Sequence, residues 1–185
     1  ATHYYTEFLL RNKKSDAASR AFYALGVLAR AQGKTTAASS YFKQAAALGG
    51  SSSASFEIAA LMFQTEQYVE AVKQFTRLAQ ATDSIDLKKQ YTAKVIVATL
   101  RMDKLAESQR LIADFEKTFG KDKEYLAEFE YEKGNHYYRK EDYSNAKKAF
   151  ENLADDYEDT RFGPWGQFYL GKIQEVNSKF EDAAK

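Results

Sequence analysis

The stretch Gly134 to Phe150, GNHYYRKEDYSNAKKAF, constrains this chain more than any other feature, because it recurs. It reads as the end of one helix, a polar turn and the start of a second helix. Gly134 lets a neighbouring helix come close, Tyr137 and Tyr138 add bulk one turn later, and Arg139 to Asp142 break the apolar pattern. Ala146 and Phe150 then share a helical face, small before large, as two packed antiparallel helices require. With Ala146 as reference, the equivalent residues are Ala1, Ala38, Ala71, Ser108 and Ala183, at steps of 37, 33, 37, 38 and 37 residues. Four residues past the reference stand Tyr5, Phe42, Phe75, Ile112 and Phe150, and seven past it Phe8, Ala45, Leu78, Phe115 and Leu153. Twelve before it stand Gly26, Ala59, Ile96, Gly134 and Gly171. A period of this length signals a repeat architecture, in which each unit buries its apolar face on its neighbours.

The pattern predicts helices over about 1–12, 16–32, 35–48, 53–65, 68–82, 86–102, 104–119, 122–140, 143–157 and 164–177, with another beginning near 180. Grouped, these give repeats at 16–48, 53–82, 86–119 and 122–157, flanked by incomplete repeats at 1–12 and 164–185, in one array over 1–185. The run Gly49 to Ser53 is a loop with a glycine stop and a serine start, Gly120 and Asp122 repeat that arrangement, and Gly163-Pro164 opens a helix. An array normally ends in a polar capping helix, so these ends lead us to expect a fragment of a longer protein.

Phe22, Leu25, Gly26, Ala38, Phe42 and Ala45 in one copy, and Leu170, Gly171, Phe180 and Ala183 in another, resemble the tetratricopeptide repeat. The resemblance implies an all-α fold, an α-solenoid in which antiparallel helix–turn–helix units wind into a right-handed superhelix. The chain departs from that pattern in lacking the proline that often closes the second helix, in Ile96 at a small-residue position and in Lys133 at a leucine position. Steps of 37–38 residues and segments such as LADDYEDTRFGPWGQFYLGKI resemble the long repeats of bacterial envelope proteins, of the outer-membrane-assembly or TolA-binding type. That likeness implies a periplasmic or outer-membrane-associated location, with the cytoplasm as the alternative.

Composition removes several kinds of chemistry. There is no Cys, hence no disulfide, thiolate nucleophile or thiolate zinc site. The net charge of +1 supplies no global field for nucleic acid. No apolar run approaches the roughly 20 residues that span a bilayer, so no direct membrane insertion is expected. The two histidines, His3 and His136, are more than three repeats apart and are read as structural. Asp155, Asp156, Glu158 and Asp159 lack the ligand spacing and glycine of a calcium loop. The expectation is a non-enzymatic chain with no catalytic residue, no metal and no cofactor.

What remains is a surface. The first helix of each hairpin is expected to line a concave groove, with Arg20, Tyr23, Val27, Arg30, Phe56, Ala60, Phe63, Ala93, Val97, Leu100, Tyr131, Asn135, Tyr138, Trp165, Phe168 and Lys172 projecting into it. Of these, Tyr23, Arg30, Phe56, Phe63, Tyr131, Asn135, Tyr138, Trp165 and Phe168 are the candidate partner-binding residues. Aromatic anchors in a concave site are typical of recognition, although aromatics at helical spacing also pack helix on helix. Arg30, Arg101 and Arg139 would form a basic ladder, or simply complement helix C-termini. A clamp for acidic chaperone tails does not fit, since Tyr131 stands where such a clamp has lysine. The function expected is a scaffold that binds a peptide or protein partner, in bacterial envelope assembly, with homo-oligomerisation left open. One alternative is an RNA-binding helical repeat, disfavoured because residues 122–160 hold twelve acidic and six basic side chains. Another is a helical domain attached to an enzyme outside this sequence.

Overall fold

The computed structural model describes residues 2–12, 16–49 and 52–183, with side chains described through residue 178. Among these there are ten helices and no strand: α1 (Thr2–Arg11), α2 (Asp16–Ala31), α3 (Thr35–Gly49), α4 (Ser52–Gln64), α5 (Tyr68–Ala81), α6 (Ile85–Arg101), α7 (Leu105–Phe119), α8 (Lys123–Arg139), α9 (Tyr143–Asp156) and α10 (Gly163–Ala183). This is the all-α helical-repeat fold expected. Ala1, Gly50, Ser51 and the side chains of Phe180 and Ala183 lie outside the described residues.

The turns inside the hairpins explain the period. Gly33, Glu66, Asp103 and Glu141 each have positive φ, and each stands five residues before a reference residue. In the first turn, Gly33 N donates to Arg30 O and Lys34 N to Ala29 O. The same two bonds recur from Glu66 to Phe63 and Gln67 to Met62, from Asp103 to Leu100 and Lys104 to Thr99, and from Glu141 to Tyr138 and Asp142 to Tyr137. These are Schellman stops, which satisfy the last carbonyls of a helix and reverse the chain. Three of the four use a non-glycine residue in left-handed backbone, at a cost of roughly 1–2 kcal/mol each.

The reference residues Ala38, Ala71, Ser108 and Ala146 are completely buried, and Phe42, Phe75 and Phe150 beyond them nearly or fully so. Burying each ring contributes about 1.5–3 kcal/mol. Buried Ser108 donates to its own helix, with Oγ 2.9 Å from Leu105 O and 3.1 Å from Lys104 O, so no polar group is stranded. Where the sequence has glycine twelve positions earlier, a ring fills the space: a Cβ on Gly26 would lie 2.5 Å from Phe42, and one on Gly134 2.6 Å from Phe150. Ile96 at that position is fully buried, and its hairpin carries Ile112 in place of phenylalanine. The same volume is thus divided differently between the two helices.

The chain divides into two compact units, residues 1–91 and 92–185. The first holds α1 to α5 with the start of α6; the second holds the rest of α6 with α7 to α10. One expectation is corrected. α10 continues unbroken to Ala183, with no reversal before a new helix near 180. A Schellman reversal is rewarded when the aromatic four positions past the reference seats on its glycine, as Phe42 does on Gly26 and Phe150 on Gly134. Among the described residues, a Cβ on Gly171 would meet nothing within 4 Å, so no ring seats on this glycine.

Candidate functional site

In the first unit, the candidate residues are engaged by other side chains of the same unit. The Tyr23 ring packs 5.6 Å from Phe42, and its hydroxyl donates to Glu57 Oε1 at 3.4 Å. Burial first, and then the Glu57 charge, push the Tyr23 phenol above its ordinary range. Arg30, at the end of α2, forms an ion pair with the nearly buried Glu57 carboxylate of α4. Phe56 sits half-buried between Phe75 at 5.9 Å and Tyr91 at 5.7 Å, and Phe63 meets Tyr68 edge-on at 5.4 Å. An apolar hollow of about 510 Å³ opens elsewhere in this unit, lined by Leu9, Leu10, Phe22, Leu25, Tyr41 and Leu48 among others.

In the second unit, Ala93, Val97 and Leu100 are buried, so they supply core and cannot line a groove. The charges around α6 and α8 are matched in pairs. Lys94 Nζ donates to Glu128 Oε1 at 3.0 Å, and Arg101 Nε lies 3.1 Å from Glu132 Oε2. Asp103, in its strained turn, accepts from Lys140 Nζ at 2.6 Å, pairs with His136 Nδ1 at 3.0 Å and has Arg139 Nη2 at 3.8 Å. The Lys140 hydrogen bond, followed by that of His136, holds the Asp103 carboxyl below its usual range. Arg30, Arg101 and Arg139 therefore do not form a free ladder: each faces a carboxylate from a neighbouring helix or turn.

Between α8 and α10 the surface changes character. Tyr131, half-buried, has ring neighbours Phe162 at 5.5 Å, Trp165 at 6.1 Å and Tyr169 at 6.1 Å. Tyr138, also half-buried, meets Tyr143 and Tyr169, and Tyr169 stacks on Phe150 at 4.5 Å with the planes 4° apart. Burial, followed by the adjacent Tyr131, pushes the Tyr169 phenol up to about 12. Above this stack Trp165 and Phe168 meet edge-on at 5.6 Å, and they remain 46% and 51% exposed. Lys172 Nζ stands 5.9 Å over the Phe168 ring. Asn135 is half-buried on the same helix as Tyr131.

The tetratricopeptide-repeat profile matches residues 1–53, 23–84 and 131–185, more than half of the chain. The chain belongs to the tetratricopeptide-repeat family. No curated protein matches it. Such repeats generally mediate protein–protein interaction, so protein partners are the coarse reading of this tetratricopeptide array. Among the described residues no group of His, Cys, Asp or Glu side chains could hold a metal, and no helix is long and apolar enough to cross a membrane.

Reading the sequence found Tyr131, Tyr138, Trp165 and Phe168, which the structure brings together with one another. It missed Phe162 and Tyr169, although their aromatic character beside Trp165 was a usable signal. It also missed Glu128, and Glu57 and Glu132, whose shared place in the repeat register was a usable signal; Arg30 and Glu57 are separated by 27 residues and Arg101 and Glu132 by 31 because the repeats differ in length.

Proposed function

We propose that this tetratricopeptide chain is a non-enzymatic scaffold that binds a protein segment on the aromatic surface of α8 and α10. The exposed Trp165–Phe168 pair carries this reading, because it is held on a rigid stack of half-buried rings. Large aromatics that stay wet on one side and anchored on the other are the usual hot spots of recognition. Single exposed apolar residues are ordinary on any surface, whereas adjoining ones mark interaction sites. The segment this surface suits carries aromatic or aliphatic side chains that stack across Trp165 and Phe168. The period of 37–38 residues supports placing such a scaffold in the periplasm or at the outer membrane, in bacterial envelope assembly. Fractionation of cells making the full-length protein tests that location, and a purely cytoplasmic protein rules it out.

Trp165 is the only tryptophan, so its fluorescence reports on the site directly. Titration with the end-capped peptide Phe-Gly-Gln-Gly-Phe should shift its emission to the blue, and Ser-Gly-Gln-Gly-Ser should not. Phe168→Ala should weaken the response about tenfold without changing helicity. Equal responses to the two peptides would sink the reading.

A further inference from the structure

The aromatic surface has a charged corner that the contacts within the chain do not complete. Glu124 and Glu128 stand one helical turn apart in the first half of α8, seven and three residues before Tyr131. The Glu128 side chain is 9% exposed. Its Oε1 accepts from Lys94, while its Oε2 is buried and accepts no hydrogen bond. Arg161 Nη2 stands 3.7 Å from Oε2, and Arg161 Nε stands the same distance from Glu124 Oε2. Both separations exceed hydrogen-bonding range. Arg161 is 66% exposed, and its guanidinium lies 4.7 Å from the centre of the Phe162 ring, which adjoins Tyr131 and through it Trp165. Arg161 is thus a loosely held cation beside a buried oxygen that lacks a donor.

We propose that this corner is the seat of an arginine side chain of the bound protein segment, and that Arg161 is a resident stand-in that gives way to it. The inference rests on the reading of the aromatic surface as the partner site. A guanidinium is planar and presents forked donors, so it can pair with a carboxylate while its face lies on a ring. Glu124 and Glu128 supply the carboxylates, and Phe162 supplies the ring. Replacing Arg161 by a partner's arginine exchanges like charge for like, so the corner stays neutral throughout. The gain comes from geometry: the incoming group donates to Glu128 Oε2, which Arg161 does not. A divalent metal is a poor occupant, because Lys94 and Arg161 would both repel it. A partner segment of this chemistry carries an arginine flanked by aromatic residues.

The test compares the end-capped peptides Phe-Gly-Arg-Gly-Phe and Phe-Gly-Gln-Gly-Phe by Trp165 fluorescence. The wild-type chain should bind the arginine peptide roughly tenfold more tightly, as expected of charge-assisted hydrogen bonds replacing neutral ones. Glu128→Gln should erase the preference and leave the glutamine peptide bound as before. Glu124→Gln, at an exposed position, should reduce the preference several-fold. Arg161→Gln should strengthen the arginine peptide and leave the glutamine peptide unchanged. Equal binding of the two peptides by wild type, or weaker binding of the arginine peptide by Arg161→Gln, overturns the seat and leaves the aromatic site standing. Binding of neither peptide overturns the aromatic site and the seat together.

Discussion

Two faces built on the same repeat differ in what occupies one position. Fourteen residues before the reference stand Glu57 in the first unit and Tyr169 in the second. Glu57 takes the Arg30 guanidinium and the Tyr23 hydroxyl, which ties down the polar ends of that face. Tyr169 instead stacks on Phe150, extends the ring layer between α8 and α10 and leaves Trp165 and Phe168 uncovered. Glu132 and Lys94 hold the same position in the hairpins between them, and both form ion pairs. A carboxylate there closes a face by pairing; an aromatic there builds a platform. The same repeat position thus leaves one face closed by ion pairs and the other with exposed rings, on one fold.

The largest expected effects come from breaking the pairs that close the first kind of face. Glu57 and Glu132 are 9% and 6% exposed, whereas their arginines are 41% and 35% exposed. Arg30→Ala or Arg101→Ala strands a buried carboxylate and should cost about 2–3 kcal/mol. The reverse change, Glu57→Gln, leaves an arginine that water can reach and should cost about half as much. Trp165→Ala, on the open platform, should lower stability by less than about 1 kcal/mol. Urea unfolding of the four variants measures this; equal losses for Arg30→Ala and Trp165→Ala would abolish the distinction between the faces.

The next effect tests the ring seats under both faces. Gly26→Ala and Gly134→Ala drive a methyl into Phe42 and Phe150 and should each cost about 1–3 kcal/mol. Gly171→Ala, at the equivalent position with nothing within 4 Å among the described residues, should raise stability by up to about 1 kcal/mol through helix propensity alone. Destabilisation at all three positions would show that the glycines serve some purpose other than seating a ring.

The smallest effect is an acid sensitivity at the Asp103 turn of the second unit. Hydrogen bonds from Lys140 and His136 depress the Asp103 pKa on folding, so the stability it contributes is present above about pH 4. It is lost as pH falls through the depressed folded value. The first hairpin has uncharged Gly33 at the equivalent turn position. Hydrogen exchange at acid pH should therefore open the Asp103 turn and the end of α8 before the Gly33 turn, and Asp103→Asn should remove the difference. Identical acid sensitivity of the two turns contradicts this assignment.

The helices were legible in the sequence because each depends on local matters: helical spacing of apolar residues, a small residue against a large one, and a polar turn. Nine of the ten fall within a residue or two of the expected bounds at both ends. The tenth, α10, runs on past its expected stop, because a reversal is a tertiary event that helical spacing alone does not encode. The site was legible in part. Trp165 and Phe168 stood out as aromatics at helical spacing, but the same spacing marked Ala93, Val97 and Leu100, which are core. Periodicity tells which side of a helix is apolar, not whether a neighbour covers it.

The sequence by itself determined that this chain is a tetratricopeptide array, through a register of small and large residues that only packed hairpins satisfy. Tertiary structure alone decided which charges are consumed. Arg30, Arg101 and Arg139 look like a ladder of free cations until Glu57, Glu132 and Asp103 arrive from other helices and turns. Ion pairing follows distance in space, and repeats of unequal length bring the same repeat positions together at different sequence spacings.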